Sequence, residues 1–258
     1  MPIHNIIAMP AFNDNYIWTI VHPDNHHCIV VDPGEASSLL QLCQDQSLNL
    51  SGILITHKHW DHINGIKGLL NTYSIPVYAP IKDQVPFCDH PIKGGDTITF
   101  PELELQFSVM DIPGHTNGHV AYLSQNWVFT GDTLFAGGCG RLFEGTPDQL
   151  YHSLQNLAAL DPNTHVYCGH EYTEKNLTFA QLVEPNNEAL SARLDEVQQK
   201  RAQGIPTLPS TIALEQQTNP FLRCQVRTIQ ERAQEYAGDT LADEVAVFAA
   251  LRRWKDEF

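Results

Sequence analysis

Positive charge is what this sequence has least of. Its 258 residues carry 15 Lys and Arg against 30 Asp and Glu, a formal net charge of −15. Sequence-independent binding to nucleic acid or to an anionic membrane relies on dense Lys and Arg, so neither partner is expected. An anionic ligand would have to meet local positive charge, supplied by a metal or by a few placed basic side chains. Cysteine is scarce as well. Cys28, Cys43, Cys88, Cys139, Cys168 and Cys224 are scattered, with no Cys-x-x-Cys pair, which excludes a disulfide scaffold and fits reduced thiols in a cytosolic protein. Nowhere do 18 apolar residues occur together, and the opening Met-Pro-Ile-His-Asn-Ile-Ile has no basic segment ahead of an apolar one. A cytoplasmic protein with neither export signal nor membrane span is therefore expected. Repeats and low-complexity tracts are absent too. With 42% hydrophobic and 17% charged residues, the chain can bury a sizeable core as one large domain or two small ones.

Histidine and glycine run out part-way along. All 13 histidines lie at or before His170, and of 16 glycines only Gly204 and Gly238 come later. Before this boundary, β-branched and aromatic runs recur between turn signals: Ile17–Val21, Cys28–Asp32, Gly52–Thr56, Pro76–Ala79, Thr97–Phe100, Leu103–Asp111, His119–Ser124, Trp127–Thr130 and Thr164–Cys168. Helical stretches at about Glu35–Gln46, Asp61–Thr72 and Thr146–Leu160 interrupt them, predicting two packed sheets with helices outside. After it the pattern turns helical, at about Thr173–Val183, Asn187–Gln203, Gln225–Tyr236 and Thr240–Trp254. Thr240-x-x-Asp243 reads as the N-cap of the last helix, with Leu241, Val245, Phe248 and Leu251 along one face.

The strongest signal is Thr56-His57-Lys58-His59-Trp60-Asp61-His62, directly after the apolar run Gly52–Ile55. Residues two apart in extended chain point the same way, so His57 and His59 can present imidazoles to one point. Asp61 and His62 then address a neighbouring point as the chain turns. Imidazole nitrogen and carboxylate oxygen suit zinc, iron or manganese. Three His and one Asp at this spacing would arise by chance only about 0.002 times in a chain of this composition, against the alternative of a solvated His-rich loop. Three later segments end an apolar run with glycine and a ligand type: Gly114-His115, Gly131-Asp132 and Gly169-His170. Each alone reads as an ordinary loop residue, but together with the His57 loop they form a constellation.

These residues resemble the metallo-β-lactamase superfamily, and within it the hydroxyacylglutathione hydrolases (glyoxalase II), over essentially the whole chain. The resemblance implies an α+β fold, a four-layer αβ/βα sandwich followed by a helical C-terminal domain. Residues 1–171 would form the metal-binding catalytic domain and 172–258 the helical substrate-binding domain. It implies two divalent metal ions, zinc first with iron or manganese as alternatives: one held by His57, His59 and His115, the other by Asp61, His62 and His170, with Asp132 bridging. Two cations about 4 Å apart can share a water, lower its pKa toward neutrality and polarise a carbonyl. The implied reaction is thioester hydrolysis of S-D-lactoylglutathione to glutathione and D-lactate, in methylglyoxal detoxification, with Asp61 and Asp132 as the catalytic carboxylates beside the bridging hydroxide. The family's glutathione-binding pattern matches Arg141, Phe143, Tyr172, Arg252 and Lys255 here. Phe143 stands where some relatives carry Tyr, which removes one hydroxyl donor. If the last helix continues through Arg252 and Lys255 they share a face; otherwise they are a solvated basic helix end.

A mononuclear-iron persulfide dioxygenase shares the same fold and is the alternative; the Arg252-x-x-Lys255 ending favours the thioesterase. A nuclease of the superfamily is poorly supported by the charge, and a non-catalytic metal module would not need seven ligand types. Asp32 and His119 read equally as residues that orient metal ligands and as structural turn residues. Cys168 reads as an inert strand cysteine rather than a nucleophile. His4, His26 and His27 read as surface histidines. A monomer is expected.

Overall fold

In the computed structural model, residues 2–258 are described. By spatial contact they divide into two compact units, one running to Asp111 and including Thr116–Gly131, the other made of Ile112–His115 and Asp132–Phe258.

The first unit is built on strands. β1 (Asn5–Ala11), β2 (Asn15–Val21) and β3 (His27–Val31) form an antiparallel meander, and helix α1 (Ser37–Asp45) leads to β4 (Asn49–Leu54), which pairs parallel to β3. Helices α2 (Trp60–Ile63) and α3 (Ile66–Leu70) precede β5 (Val77–Pro80) and β6 (His90–Ile92), which extend the sheet in parallel. Leu39 and Cys43 of α1, four apart on one helix face, and Ile66 and Leu69 of α3 pack on Ile17, Val30, Ile53 and Ile55. A second set, β7 (Thr97–Phe100), β8 (Leu105–Asp111), β9 (Val120–Ser124) and β10 (Trp127–Gly131), is antiparallel throughout. Buried and exposed residues alternate along β7 and β8, as in a sheet with one face on the core and one in water. The buried face meets the first sheet: Tyr122 Oη donates to Ile55 O at 2.6 Å, and a Cβ on Gly52 would lie 2.5 Å from the Phe100 ring.

Three expectations are corrected here. The single helix over 61–72 is two short ones, because Gly65 lies against Pro33, its N–H donating to Pro33 O at 2.9 Å where a Cβ would clash. The strand expected from Leu103 begins at Leu105, since 101–103 form a 3₁₀ turn closed by Glu104 at φ +51°. His4 is buried, its Nε2 donating to Leu103 O at 2.6 Å, rather than a surface histidine.

The second unit holds a hairpin, β11 (Leu134–Phe135) and β12 (Gly138–Cys139), then α4 (Pro147–Ala158), β13 (His165–Cys168), α5 (Thr173–Val183), α6 (Glu188–Ala202), β14 (Ser210–Thr211), α7 (Ile212–Thr218), α8 (Arg227–Ala237) and α9 (Glu244–Glu257). A capping box of Thr146 and Gln149 starts α4. Leu177 and Ala180 of α5 pack on Leu190, Leu194 and Val197 of α6. Phe221, fully buried, lies 6.1 Å from Phe179 and 5.8 Å from Phe248, ring centre to ring centre. Among the described residues no helix is long and apolar enough to cross a membrane.

The last helix starts four residues later than expected. Asp243, not Thr240, is its cap: the Asp243 carboxylate accepts from Ala246 N at 2.8 Å. Asp243→Ala should therefore cost about 1 kcal/mol in urea denaturation while Thr240→Ala stays within about 0.5 kcal/mol; the reverse order would return the cap to Thr240.

Candidate metal centre

In the first unit the ligand-type residues leave the end of central strand β4. Asp32, just past β3 at φ +52°, faces them with a buried carboxylate. It accepts from Thr56 N at 2.8 Å, from Thr56 Oγ1 at 2.7 Å and from His62 Nδ1 at 3.0 Å. Thr56 has one hydroxyl proton and spends it on Asp32, so at 3.1 Å its oxygen accepts from the Nδ1–H of His57. Both imidazoles are thereby fixed as tautomers whose Nε2 carries the lone pair, the form a metal ligand needs. His57 Nε2 lies 3.1 Å from His59 Nδ1, so two ring nitrogens converge on one region. Asp61 Oδ2 lies 3.5 Å from His62 Nε2 and accepts from Asn15 Nδ2 at 2.9 Å. Asp32, His57 and His62 also lie within ligand reach of one another, but the Asp32 oxygens are committed to Thr56 and His62. Asp32 thus orients Thr56 and His62.

His119 stacks on His57, centroids 4.6 Å apart and planes within 12°. Gly131, at φ +47°, lies against Thr56 and His119: a Cβ there would lie 2.3 Å from Thr56 Oγ1 and 2.7 Å from the His119 ring. The close approach requires glycine.

In the second unit Asp132 presents one carboxylate oxygen to two imidazoles, Oδ2 lying 3.6 Å from His115 Nε2 and 3.2 Å from His170 Nε2. The Nδ1–H of His115 donates to Arg141 O at 2.9 Å, so its Nε2 also carries the lone pair. Gly140 allows this closeness, since a Cβ there would fall on Asp132 O. Tyr172 stacks on His170 at 4.6 Å and 8°, and Phe143, 62% exposed, meets His115 edge-on at 5.2 Å.

Helix α9 does continue through both basic residues, but they are no solvated helix end. Arg252 is only 4% exposed; its Nη1 donates to Cys139 O at 2.8 Å and its Nη2 to Asp256 Oδ1 at 3.1 Å. Arg141, exposed, lies 3.4 Å through Nε from that same Asp256 oxygen. Lys255 Nζ donates to Lys175 O at 3.2 Å, and burial, then the neighbouring Arg252 and Lys175 charges, push its pKa down to about 8. Burial pushes the Cys168 thiol up to about 12, which makes it a poor nucleophile, and none of the six cysteines is in a disulfide.

Sequence reasoning missed Asn15, Thr56 and Asp83. Asp83 is buried and accepts from Lys58 N at 3.1 Å and Thr116 Oγ1 at 2.8 Å, so it ties the loop between His57 and His59 to the residue after His115. Only Thr56, inside the motif, carried any signal.

Comparison with known proteins matches residues 14–170 to the metallo-beta-lactamase superfamily and residues 171–258 to the hydroxyacylglutathione hydrolase C-terminus. A hydroxyacylglutathione hydrolase of Nitrosomonas eutropha is 50% identical over 254 residues, covering 98% of this chain and 99% of that one. One from Psychromonas ingrahamii is 45% identical, covering 99% of this chain and all of its own. Among solved structures, ETHE1 from Myxococcus xanthus superposes with a TM-score of 0.66 at 23% identity, covering 98% of both chains. TTHA1623 in a di-iron-bound form gives 0.61 at 26% identity, covering 84% of this chain and all of that one. These likenesses give the expected α+β metallo-β-lactamase fold with a helical C-terminal region.

Asp32→Asn should weaken divalent-metal binding by about 10–100-fold in competition with a chelator. Unchanged affinity would reduce Asp32 to a turn residue.

Proposed function

We propose how this site works from one premise: the chain belongs to the hydroxyacylglutathione hydrolase family of the metallo-β-lactamase superfamily. It is a thioester hydrolase, and the substrate is S-D-lactoylglutathione, cleaved to glutathione and D-lactate in methylglyoxal detoxification. The observation that carries the reading is the Asp132 carboxylate oxygen shared by His115 and His170, with the Nδ1–H of His115 already held by Arg141 O. Such a donor set fits two divalent cations. His57, His59 and His115 would hold one and Asp61, His62 and His170 the other, with Asp132 serving both. Zinc is the first choice, with iron or manganese accepted by the same ligand types. When bound, a metal pair ionises water near neutral pH and polarises the scissile carbonyl.

The chain's own residues do the rest. Asp61, steadied by Asn15, orients the attacking oxygen, and Asp132 keeps His115 and His170 turned to one place. No side-chain nucleophile is required. Arg141, Phe143, Tyr172, Arg252 and Lys255 bind the glutathione portion; Arg252 acts from beneath the surface, because Cys139 O and Asp256 already hold its guanidinium. Residues 1–171 form the catalytic domain and 172–258 the substrate-binding domain. The protein works as a cytoplasmic monomer, without nucleic-acid or membrane partners.

Elemental analysis paired with a thioester assay on one preparation should find close to two metals per chain and hydrolysis that chelator abolishes. One iron per chain with oxygen uptake on glutathione persulfide would instead identify a dioxygenase. Lys255 binds an anionic substrate as its ammonium, and its pKa is about 8. As pH rises through that value the charge is lost, so KM should climb while kcat changes little, and Lys255→Met should flatten the climb. A climb that persists in Lys255→Met would assign it to another group.

A further inference from the structure

The β11–β12 hairpin starts two residues after Asp132 and ends two residues before Arg141. Side chains from the C-terminal helices peg its backbone at five points. Asn219 Nδ2 donates to Phe135 O at 3.3 Å and to Gly138 O at 2.9 Å. Asn176 Nδ2 of α5 donates to Ala136 O at 3.1 Å, Gly137 N donates to Glu215 Oε2 of α7 at 2.8 Å, and Arg252 of α9 holds Cys139 O. Gly137 sits at φ +70°, and a Cβ on Gly138 would lie 2.7 Å from the Asn176 amide, so the hairpin rests directly on these pegs.

Glu215 is the node. It is 0% exposed, and its carboxylate accepts from Arg193 Nη2 at 2.6 Å, Asn219 Nδ2 at 3.0 Å and the Ser210 hydroxyl. A buried ion pair adds little stability over well-packed apolar residues of the same volume. What it can add is position, because directional bonds onto one stretch of backbone define where that stretch lies. The stretch leads to Arg141, whose carbonyl accepts from His115 and whose guanidinium is exposed.

We propose that Glu215, Asn219 and Asn176 are positioning residues for the hydrolysis: they fix the β11–β12 hairpin and, through it, Arg141. The kinetic part rests on the proposed glutathione-binding role of Arg141; the structural part does not. The test uses the full chain, with hydrogen exchange over residues 134–141, metal content, and KM and kcat on S-D-lactoylglutathione. Asn176→Ala removes one neutral peg and leaves the ion pair intact. It should speed exchange in the hairpin and raise KM about fivefold to tenfold, the worth of roughly one buried hydrogen bond. Metal content should stay at the wild-type value and kcat within about twofold, a split that a general loss of stability would not give. Glu215→Met removes the acceptor for Gly137 N and strands the buried Arg193 charge, so Glu215→Met/Arg193→Met is its partner experiment: stability should recover while the hairpin stays loose and KM stays high. Wild-type exchange and KM in Asn176→Ala, or full recovery of KM in the double variant, would overturn the proposal. If the wild-type chain left the thioester intact, the functional reading would fail, and hairpin exchange alone would decide whether these residues hold it.

Discussion

The Asp32 carboxylate is the constraint on which the first half of the centre depends. A buried carboxylate is tolerated when its lone pairs are filled, and here Thr56 N, Thr56 Oγ1 and His62 Nδ1 fill them. Because the Thr56 proton goes to Asp32, Thr56 must accept from His57, and one carboxylate thereby sets two imidazole tautomers. Nothing in His57 or His62 itself would choose Nε2 over Nδ1 as the bare nitrogen.

The second unit reaches the same end by different means. His115 is set by a backbone carbonyl, Arg141 O, on the segment that follows the β11–β12 hairpin. A carbonyl can only accept, so the tautomer is again unambiguous. Five bonds from buried side chains stiffen that approach, and glycines at 137, 138 and 140 let it lie where any Cβ would collide. Three of the chain's 15 basic residues, Arg141, Arg252 and Lys255, lie in the same unit. Burial, then the Arg252, Lys175 and Arg141 charges, push the Lys255 pKa down to about 8.

Much of the secondary structure was legible. The helix over Thr173–Val183 and the strand over Thr97–Phe100 appear with the expected ends. β1 was not legible: Asn-Ile-Ile-Ala-Met-Pro-Ala has no period-two alternation, and its pairing with β2 supplies the order that the pattern lacks. Nor was α7, whose seven residues are too few to show a helical period. The break between α2 and α3 came from Gly65 meeting Pro33, 32 positions away, which local propensity does not encode.

The sequence by itself determined the ligand types, the spacing of the His57–His62 loop, the glycines before His115, Asp132 and His170, and the change to helix near residue 171. These are properties of neighbours along the chain, and periodicity and residue chemistry carry them. Only the tertiary structure decided which nitrogen His57, His62 and His115 present, that the Asp32 oxygens are committed to Thr56 and His62, that Arg252 is buried on Cys139, and that Glu215 bonds to a hairpin 78 positions earlier. Each depends on a hydrogen bond between residues far apart in sequence, and a proton's place in such a bond is set by the partner across the fold.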